Sequence, residues 1–288
     1  MENEKQKLEE LYWKNNLSSR EISRLFGVSH NIVLKRMRKY QISRRPLARE
    51  IKNPSFHELT EEKAYIMGVM CGDGCLWKGF TKKKQITKIT RQIEHHIRLV
   101  AIDKDFVDYF SDCVKKVYGV KPSYKFRKSK NTNWSDTHTV YCRQKSVFTD
   151  IESFGTFSTK SWRIPSQILN SPNKEIVGSF LKGFFDSEGT VCAKRYNRYI
   201  RADSTNIKGL REIVYLLSIL GIKTTKISKS RNCYHVSISN IDGLEKFYNN
   251  IGFSIQRKFK RLESIINEYR AKVIKNMEKN RGVHLGLI

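Results

Sequence analysis

Apolar residues change their spacing along the chain, and the changes mark its elements. In the first 45 residues they recur three and four apart: Leu8, Leu11 and Tyr12, then Ile22, Leu25 and Phe26, then Val33, Met37 and Tyr40. That is the period of amphipathic helices and predicts three of them. Ser18 or Ser19 can cap the second, Gly27-Val28-Ser29 makes a tight turn, and the third begins near His30. From residue 57 onward two long, almost uncharged segments stand out, AYIMGVMCGDG closing at Gly74 and IVGSFLKGFFDSEG closing at Gly189. Each follows a helix-start signal, Thr60 before Glu61-Glu62 and Ser171 before Pro172. Strand-like stretches come next. In the second half they are TVCAK, YIRADS, KTTKISK and YHVSISN, broken at Tyr196-Asn197 and Ser230-Arg231-Asn232. KGLREIVYLLSILG and LEKFYNNIG read as helices, and FVDYFSDCVKKVYG and SVFTDIESFG hold the corresponding places in the first half. Residues 81–97 fit less well and read as an extended hairpin or insertion.

The two uncharged segments lie 115 residues apart, too long for a solenoid repeat and suited to a duplicated domain half. Each half therefore reads α-β-β-α-β-β-α, an α+β unit used twice. Residues 1–45 form a small all-α domain, 46–56 a basic linker, 57–160 the first half, and 161–288 the second half with a C-terminal helix. Two short helices around a Gly turn, the second one basic, is the helix-turn-helix arrangement. Its outer face would carry His30, Asn31, Lys35, Arg36 and Arg38 to DNA. An ordinary three-helix cap with a solvated basic face is the plainer alternative.

Charge narrows the partners. Across 288 residues, 55 Lys and Arg stand against 28 Asp and Glu, a net charge of +27. Such a surplus attracts polyanions, nucleic acid first. An anionic membrane is less favoured, because no stretch of about 18 apolar residues exists to span one. The apolar fraction of 39% is enough for a sizeable core, which argues against disorder. The charged start MENEKQKLEE has no apolar signal region. Six cysteines without a C-x-x-C pair read as free thiols. Together these predict an intracellular, reducing compartment, cytoplasm, nucleoid or organelle matrix, and no secretion. His95-His96 lacks ligand spacing and reads as non-metal.

Aligned on their closing glycines, Ile66-Met67-Gly68-Val69-Met70-Cys71-Gly72-Asp73-Gly74 and Leu181-Lys182-Gly183-Phe184-Phe185-Asp186-Ser187-Glu188-Gly189 share a pattern. An aliphatic residue precedes Gly, a carboxylate comes five positions after it, and Gly follows. A Gly inside a helix costs about 1 kcal/mol against Ala, so Gly68 and Gly183 need a reason. Close packing of one helix on its twin supplies it. The closing glycines are expected as left-handed C-caps. If the twins run side by side, Asp73 and Glu188 emerge together where helix carbonyls point outward. Two adjacent carboxylates there attract a divalent cation such as Mg2+.

These segments resemble the paired motifs of the LAGLIDADG homing endonucleases in their single-chain, two-motif form. Arg163-Ile164-Pro165, FLKGFFDSEGTV and the closing FSIQRKFKRL match that family's usual surroundings, so the likeness covers residues 57–270. Cys71 departs from the acid frequent there, and Glu188 replaces the commoner Asp. The resemblance implies two halves with pseudo-twofold symmetry whose antiparallel sheets form a saddle over double-stranded DNA. It implies a monomer that makes a double-strand break with 3′ overhangs in a long recognition site. Asp73 and Glu188, with the preceding Gly72 and Ser187, would hold Mg2+ or Mn2+. Lys145 is the candidate supporting base in the first half, and Lys226 or Lys229 in the second. Lys125, Arg127, Arg143, Arg195, Arg198, Arg201 and Lys226 are candidate DNA contacts, each equally readable as a solvated side chain. The alternative is a DNA-binding regulator or an RNA splicing cofactor (maturase) on the same fold without cleavage, with intron RNA as partner. The Met start and HLGLI end lack the termini of an intein and predict a free-standing or intron-encoded protein.

Overall fold

In the computed structural model the chain divides into two compact units, Met1–Glu50 and Ile51–Ile288. The structure describes residues 2–15, 17–43, 51, 53–84, 89–194 and 196–284.

Among its described residues the first unit has three α-helices. α1 (Glu2–Glu9) runs into a wider turn at Glu10–Lys14, and α2 (Ser19–Leu25) and α3 (His30–Lys39) follow. Ser18 opens α2 with a reciprocal cap. Its hydroxyl accepts from the Glu21 amide and its amide donates to the Glu21 carboxylate. Gly27 turns the chain at φ +62°, a conformation that favours glycine. Leu8, Tyr12, Ile22, Val33, Met37 and Ile42 form the core. Leu25 is not in it. It is 63% exposed, because Phe26, four residues after Ile22, takes the inward position on this short helix.

The second unit holds the repeat. Its first half is α4 (Glu61–Met70), β1 (Gly74–Lys84), β2 (Ile89–Ala101), α5 (Lys104–Tyr118), β3 (Ser123–Arg127), β4 (Thr137–Cys142) and α6 (Lys145–Ser153). A short α7 (Ser166–Leu169) leads into the second half. That half is α8 (Lys174–Glu188), β5 (Gly189–Lys194), β6 (Asn197–Ser204), α9 (Ile207–Ile219), β7 (Ser228–Ser230), β8 (Cys233–Ile238) and α10 (Ile241–Asn250), followed by α11 (Gln256–His284). Two four-stranded antiparallel sheets have the matching orders β1-β2-β4-β3 and β5-β6-β8-β7. Of the stretch 81–97, residues 81–84 and 89–97 belong to the antiparallel pair β1 and β2, and 85–88 lie outside the described residues. KTTKISK is a strand only at its end. Thr225 instead docks on Ser237, its amide donating to the carbonyl and its hydroxyl accepting from the amide.

Each sheet covers its own core, and α4 serves both. Tyr65, Ile66, Val69 and Met70 pack into the first, Ala64, Met67 and Cys71 into the second. This explains the absence of a polar stripe in AYIMGVM, since a helix apolar all round is buried all round. Thr60 caps α4 as its position suggests. α8 starts two residues later than Pro172 implies. Asn173 accepts from the Glu175 and Ile176 amides, and Ser171 only positions Asn173. Part of the expected linker is fastened to the first half. Asn53 donates to the Lys116 and Val117 carbonyls at the end of α5. Lys63, fully buried, donates to the Phe56 carbonyl and pairs with Asp150 at 2.8 Å. Among the described residues, no helix is long and apolar enough to cross a membrane.

The closing glycines are not left-handed caps. Gly189 has φ −83° and ψ 138° and is already the first residue of β5, as Gly74 is of β1. The constraint is space. A Cβ on Gly189 would lie 2.3 Å from the Phe185 carbonyl oxygen, and one on Gly74 2.6 Å from the Met70 sulfur.

The helix crossing is tighter still. A Cβ on Gly183 would lie 2.2 Å from the Tyr65 carbonyl oxygen, and that obstacle is backbone. Gly183→Ala should therefore destabilise the second unit by about 1–3 kcal/mol or more, lowering its melting temperature by several degrees. A melt followed by circular dichroism checks this, and an unchanged midpoint would contradict it.

Candidate active site

The site begins with the crossing of α4 and α8. A Cβ on Gly68 would sit 2.0 Å from the Phe180 oxygen and 2.9 Å from the Phe184 nitrogen. A Cβ on Gly183 would sit 2.2 Å from the Tyr65 oxygen and 2.9 Å from the Val69 nitrogen. The contacts are reciprocal, as an approximate twofold axis between the helices requires. Four residues on, Gly72 faces Ser187. A Cβ there would lie 2.3 Å from the Ser187 Cβ and 3.2 Å from the Glu188 Cγ. The crossing thus brings Asp73 and Glu188 together at one end of the helix pair.

Their charges reflect that crowding. Burial pushes the Glu188 carboxyl up to about 7, aided by Asp73 and Asp203 and opposed by Lys258. Asp73 is also raised, by burial, against the pull of Lys258. Among the described residues no group of three or more His, Cys, Asp or Glu side chains could hold a metal ion. A cation here would be held by the two acids together with other oxygen donors.

The lysine beside the acids is Lys258, near the start of α11. Its ammonium donates to the carbonyls of Phe185, at 3.1 Å, and Asp186, at 2.6 Å. It therefore caps the last turn of α8, where helix carbonyls lack intrahelical partners. Burial brings its pKa down to about 8, against the attraction of Asp186 and Asp73. Asp186 is buried and accepts from the Ser254 amide, the Ser254 hydroxyl at 2.6 Å and the Tyr65 hydroxyl at 2.9 Å. Tyr65 belongs to α4, so this network also joins the two helices. Composition and spacing did not single out Lys258, Ser254 or Tyr65. The one available signal was the FSIQRKFKRL segment, which carries Ser254 and Lys258.

Lys145 stands exposed in the first turn of α6, and no ion pair holds it among the described residues. Lys226 is exposed ahead of β7, and the Lys229 ammonium lies 5.7 Å from the centre of the Tyr234 ring.

Alternation sorts the strand residues. Ile97, Leu99, Val140 and Cys142 face the first core, so Arg98 and Tyr141, paired with each other, face outward. Lys125 and Arg127, opposite Thr139 and Thr137, share that outer face. The Arg143 guanidinium lies over the Tyr141 ring at 5.1 Å. Trp77 stacks on His96 on this face, and burial with Arg98 and Arg143 holds the His96 pKa below its ordinary value. In the second sheet Ile200 and Ala202 face the core and Arg201 faces out, with its Nε 3.0 Å from an Asp203 oxygen. Arg198 does not share that face. It lies two residues before Ile200, is almost buried, and pairs with Glu268 and the Tyr269 ring of α11. Arg195 lies outside the described residues.

In the first unit Asn31, Lys35 and Arg38 are exposed on α3. Arg36 is turned inward to Glu4 at 2.6 Å, and His30 meets the Ser19 hydroxyl at 3.0 Å. Those two side chains hold the helices to one another.

Comparison with known proteins agrees with this architecture. Residues 175–252 match the model of the LAGLIDADG-like domain family. The segment from α8 to α10 is thus a LAGLIDADG-like domain. A structure of the homing endonuclease I-DmoI in complex with DNA and Ca superposes with a TM-score of 0.50 at 17% identity, over 72% of this chain and 98% of that one. An uncharacterized protein of Methanocaldococcus jannaschii is 25% identical over 88% of this chain and 89% of its own length. A DNA polymerase of Thermococcus kodakarensis is 26% identical over 82% of this chain, which spans only 14% of that protein.

The raised Glu188 pKa sets a pH dependence. Its ordinary value is 4.5, and in the fold it is about 7. Between these values the folded protein keeps a proton that the unfolded chain has lost, so stability falls as pH rises through that window. Asp73 and Asp203 act in the same direction, and Lys258 stays charged below its own value near 8. In chelator-treated protein, the drop in melting temperature from about pH 5 to about pH 7 should be smaller in Glu188→Gln than in the parent. Equal drops would remove Glu188 as the cause.

Proposed function

We propose that this chain is, over both halves, a LAGLIDADG protein, and that it is a site-specific, divalent-metal-dependent DNA endonuclease that makes a double-strand break in a long recognition site. The observation that carries the reading is the meeting of Asp73 and Glu188 at one end of the α4–α8 pair. Two hard carboxylate oxygens at the ends of paired helices suit Mg2+ or Mn2+, and the crowding that disfavours bare charge on Glu188 favours a cation there. Asp73 and Glu188, with the backbone at Gly72 and Ser187, would hold it. When bound, such an ion lowers the pKa of a water and neutralises the oxygen leaving phosphorus.

The chain's own residues supply placement. The glycine crossing fixes the separation of the acids. Lys258 holds the final turn of α8, and Asp186 ties that turn to α4 through Tyr65. The outward rows on the strands, Arg98, Lys125, Arg127 and Arg143 in one sheet and Arg201 in the other, provide cations and donors for phosphates and base edges. The match to a homing endonuclease solved with DNA and Ca supports the same reading.

Purified protein incubated with Mg2+ and a DNA library, with the cut ends sequenced, tests the activity directly. Asp73→Asn or Glu188→Gln should abolish double-strand cutting while DNA binding persists, because affinity comes from many Lys and Arg contacts with phosphate. Undiminished cutting by either variant would overturn the catalytic assignment. Specific binding by the parent without cutting would favour the non-cleaving regulator.

The first unit is the second DNA reader in this proposal. α3 would enter a major groove with Asn31, Lys35 and Arg38, since Arg36 and His30 are engaged within the unit. A chain beginning at Ile51 retains both acids. It should still cut, bind more weakly, and lose about 0.9 from the slope of log K against log salt for each phosphate contact removed. Footprints and salt slopes identical to those of the full chain would leave the unit without a DNA role.

A further inference from the structure

The outward side of α9 is separate from the open sheet faces. Leu210, Ile213, Leu216 and Leu217 pack inward on the core. Lys208, Arg211, Glu212 and Tyr215 then fall at i, i+3, i+4 and i+7, a single stripe on the opposite side.

Two grooves flank this stripe. One, of about 620 Å3, is lined by Arg163, Leu169, Asn170, Lys208, Arg211, Glu212 and Tyr215. The other, of about 400 Å3, includes Lys160, Thr205, Asn206 and Tyr234. Both lie in the range of about 300–1,000 Å3 usual for small-ligand sites. Arg163 and Lys208 line both grooves and so form the wall between them. Each groove also holds one tyrosine. Tyr215 is 53% exposed, a large ring presented to water.

The charge is one-sided. Among the described residues Glu212 is the only acid lining either groove, and it is already engaged. It accepts from Arg163 Nε at 2.7 Å and from the Ile164 amide at 2.9 Å. That contact fixes the guanidinium on the wall. Lys208 and Arg211 have no carboxylate partner among the described residues.

We propose that this surface binds a single-stranded stretch of nucleic acid. One base lies against Tyr215, the next enters the groove of Tyr234, and the phosphate between them rests on Arg163 and Lys208. Aromatic groove, cationic wall and aromatic groove stand in the same order as base, phosphate and base along a strand. Separate concave grooves require unpaired bases, because paired bases are stacked and turned inward. The chemistry is shared by RNA and by an unpaired DNA strand. The proposal does not depend on Asp73 or Glu188, so it fails or stands separately from cleavage.

The test uses the full chain and fluorescence anisotropy with labelled oligouridylate, oligothymidylate and a random-sequence duplex. Tyr215→Ala should weaken single-strand binding by roughly 5- to 150-fold, the range for loss of one base–aromatic stack. Lys208→Ala with Arg211→Ala should flatten the single-strand salt slope by about 0.7 per lost contact. Duplex affinity should not change in either variant, and the exposure of all three side chains keeps the fold intact, which a melt verifies. Tighter binding of the uridylate identifies RNA as the natural ligand, and parity or preference for the thymidylate identifies an unpaired DNA strand. Single-strand binding unaltered by both variants, or a parent protein that does not bind single strands, would overturn the proposal. So would an equal loss on the duplex, which would show a general cationic contribution only.

Discussion

The second unit depends on one contact, the crossing of α4 and α8 at Gly68 and Gly183. Each glycine admits a backbone carbonyl of the other helix to within about the space of its own missing Cβ. Two helix backbones at this distance cannot slide or rotate without collision. The crossing fixes where both helices end, and therefore where Asp73 and Glu188 stand. It also explains why α4 is apolar on every side. Wedged between two sheet-covered cores, it has no face left for water.

The halves are twins in topology but not in chemistry. At matched positions α8 carries Asp186 and the C-terminal cap of α4 is Cys71. Asp186 gathers the Ser254 amide and hydroxyl and the Tyr65 hydroxyl, while Lys258 takes the carbonyls of the same turn. A buried acid and a buried ammonium are tolerated because nearly every donor and acceptor between them is satisfied. Cys71 needs no such partners and simply packs. The second helix end is consequently braced by polar bonds to α4 and α11, and the first by apolar contact. Further bonds cross between halves. Arg257 pairs with Asp103, and the Gln256 amide donates to Asp105, so the start of α11 is held to the start of α5.

The positive charge is distributed rather than pooled. Some of it is structural. Lys63 is buried with Asp150, Arg198 is pinned by Glu268, and Arg36 is held by Glu4. Exposed cations stand on the outward strand rows and the stripe of α9, and also on α3, α5 and several loops. A formal charge of +27 is thus a statement about partners only after the inward cations are set aside.

The duplicated topology was legible because local signals agreed. The 115-residue interval, the alternating strands and the Thr60 cap each pointed the same way. The paired glycines and the carboxylates after them were legible for the same reason, since a helix interior rarely keeps glycine without a close neighbour. Other features were set by distant parts of the chain. Ser171 yielded its cap to Asn173, and Leu25 was left in solvent because Phe26 took the inward position. Arg198 turned to the α11 side because the pairing register put the even-numbered residues of β6 toward the core. Lys258 became the lysine beside the acids because α11 packs across the end of α8, 70 residues away from Glu188 in sequence. Periodicity reports which side of an element is apolar. Which charge lies against which helix end depends on how the elements meet, and only the tertiary structure decides that.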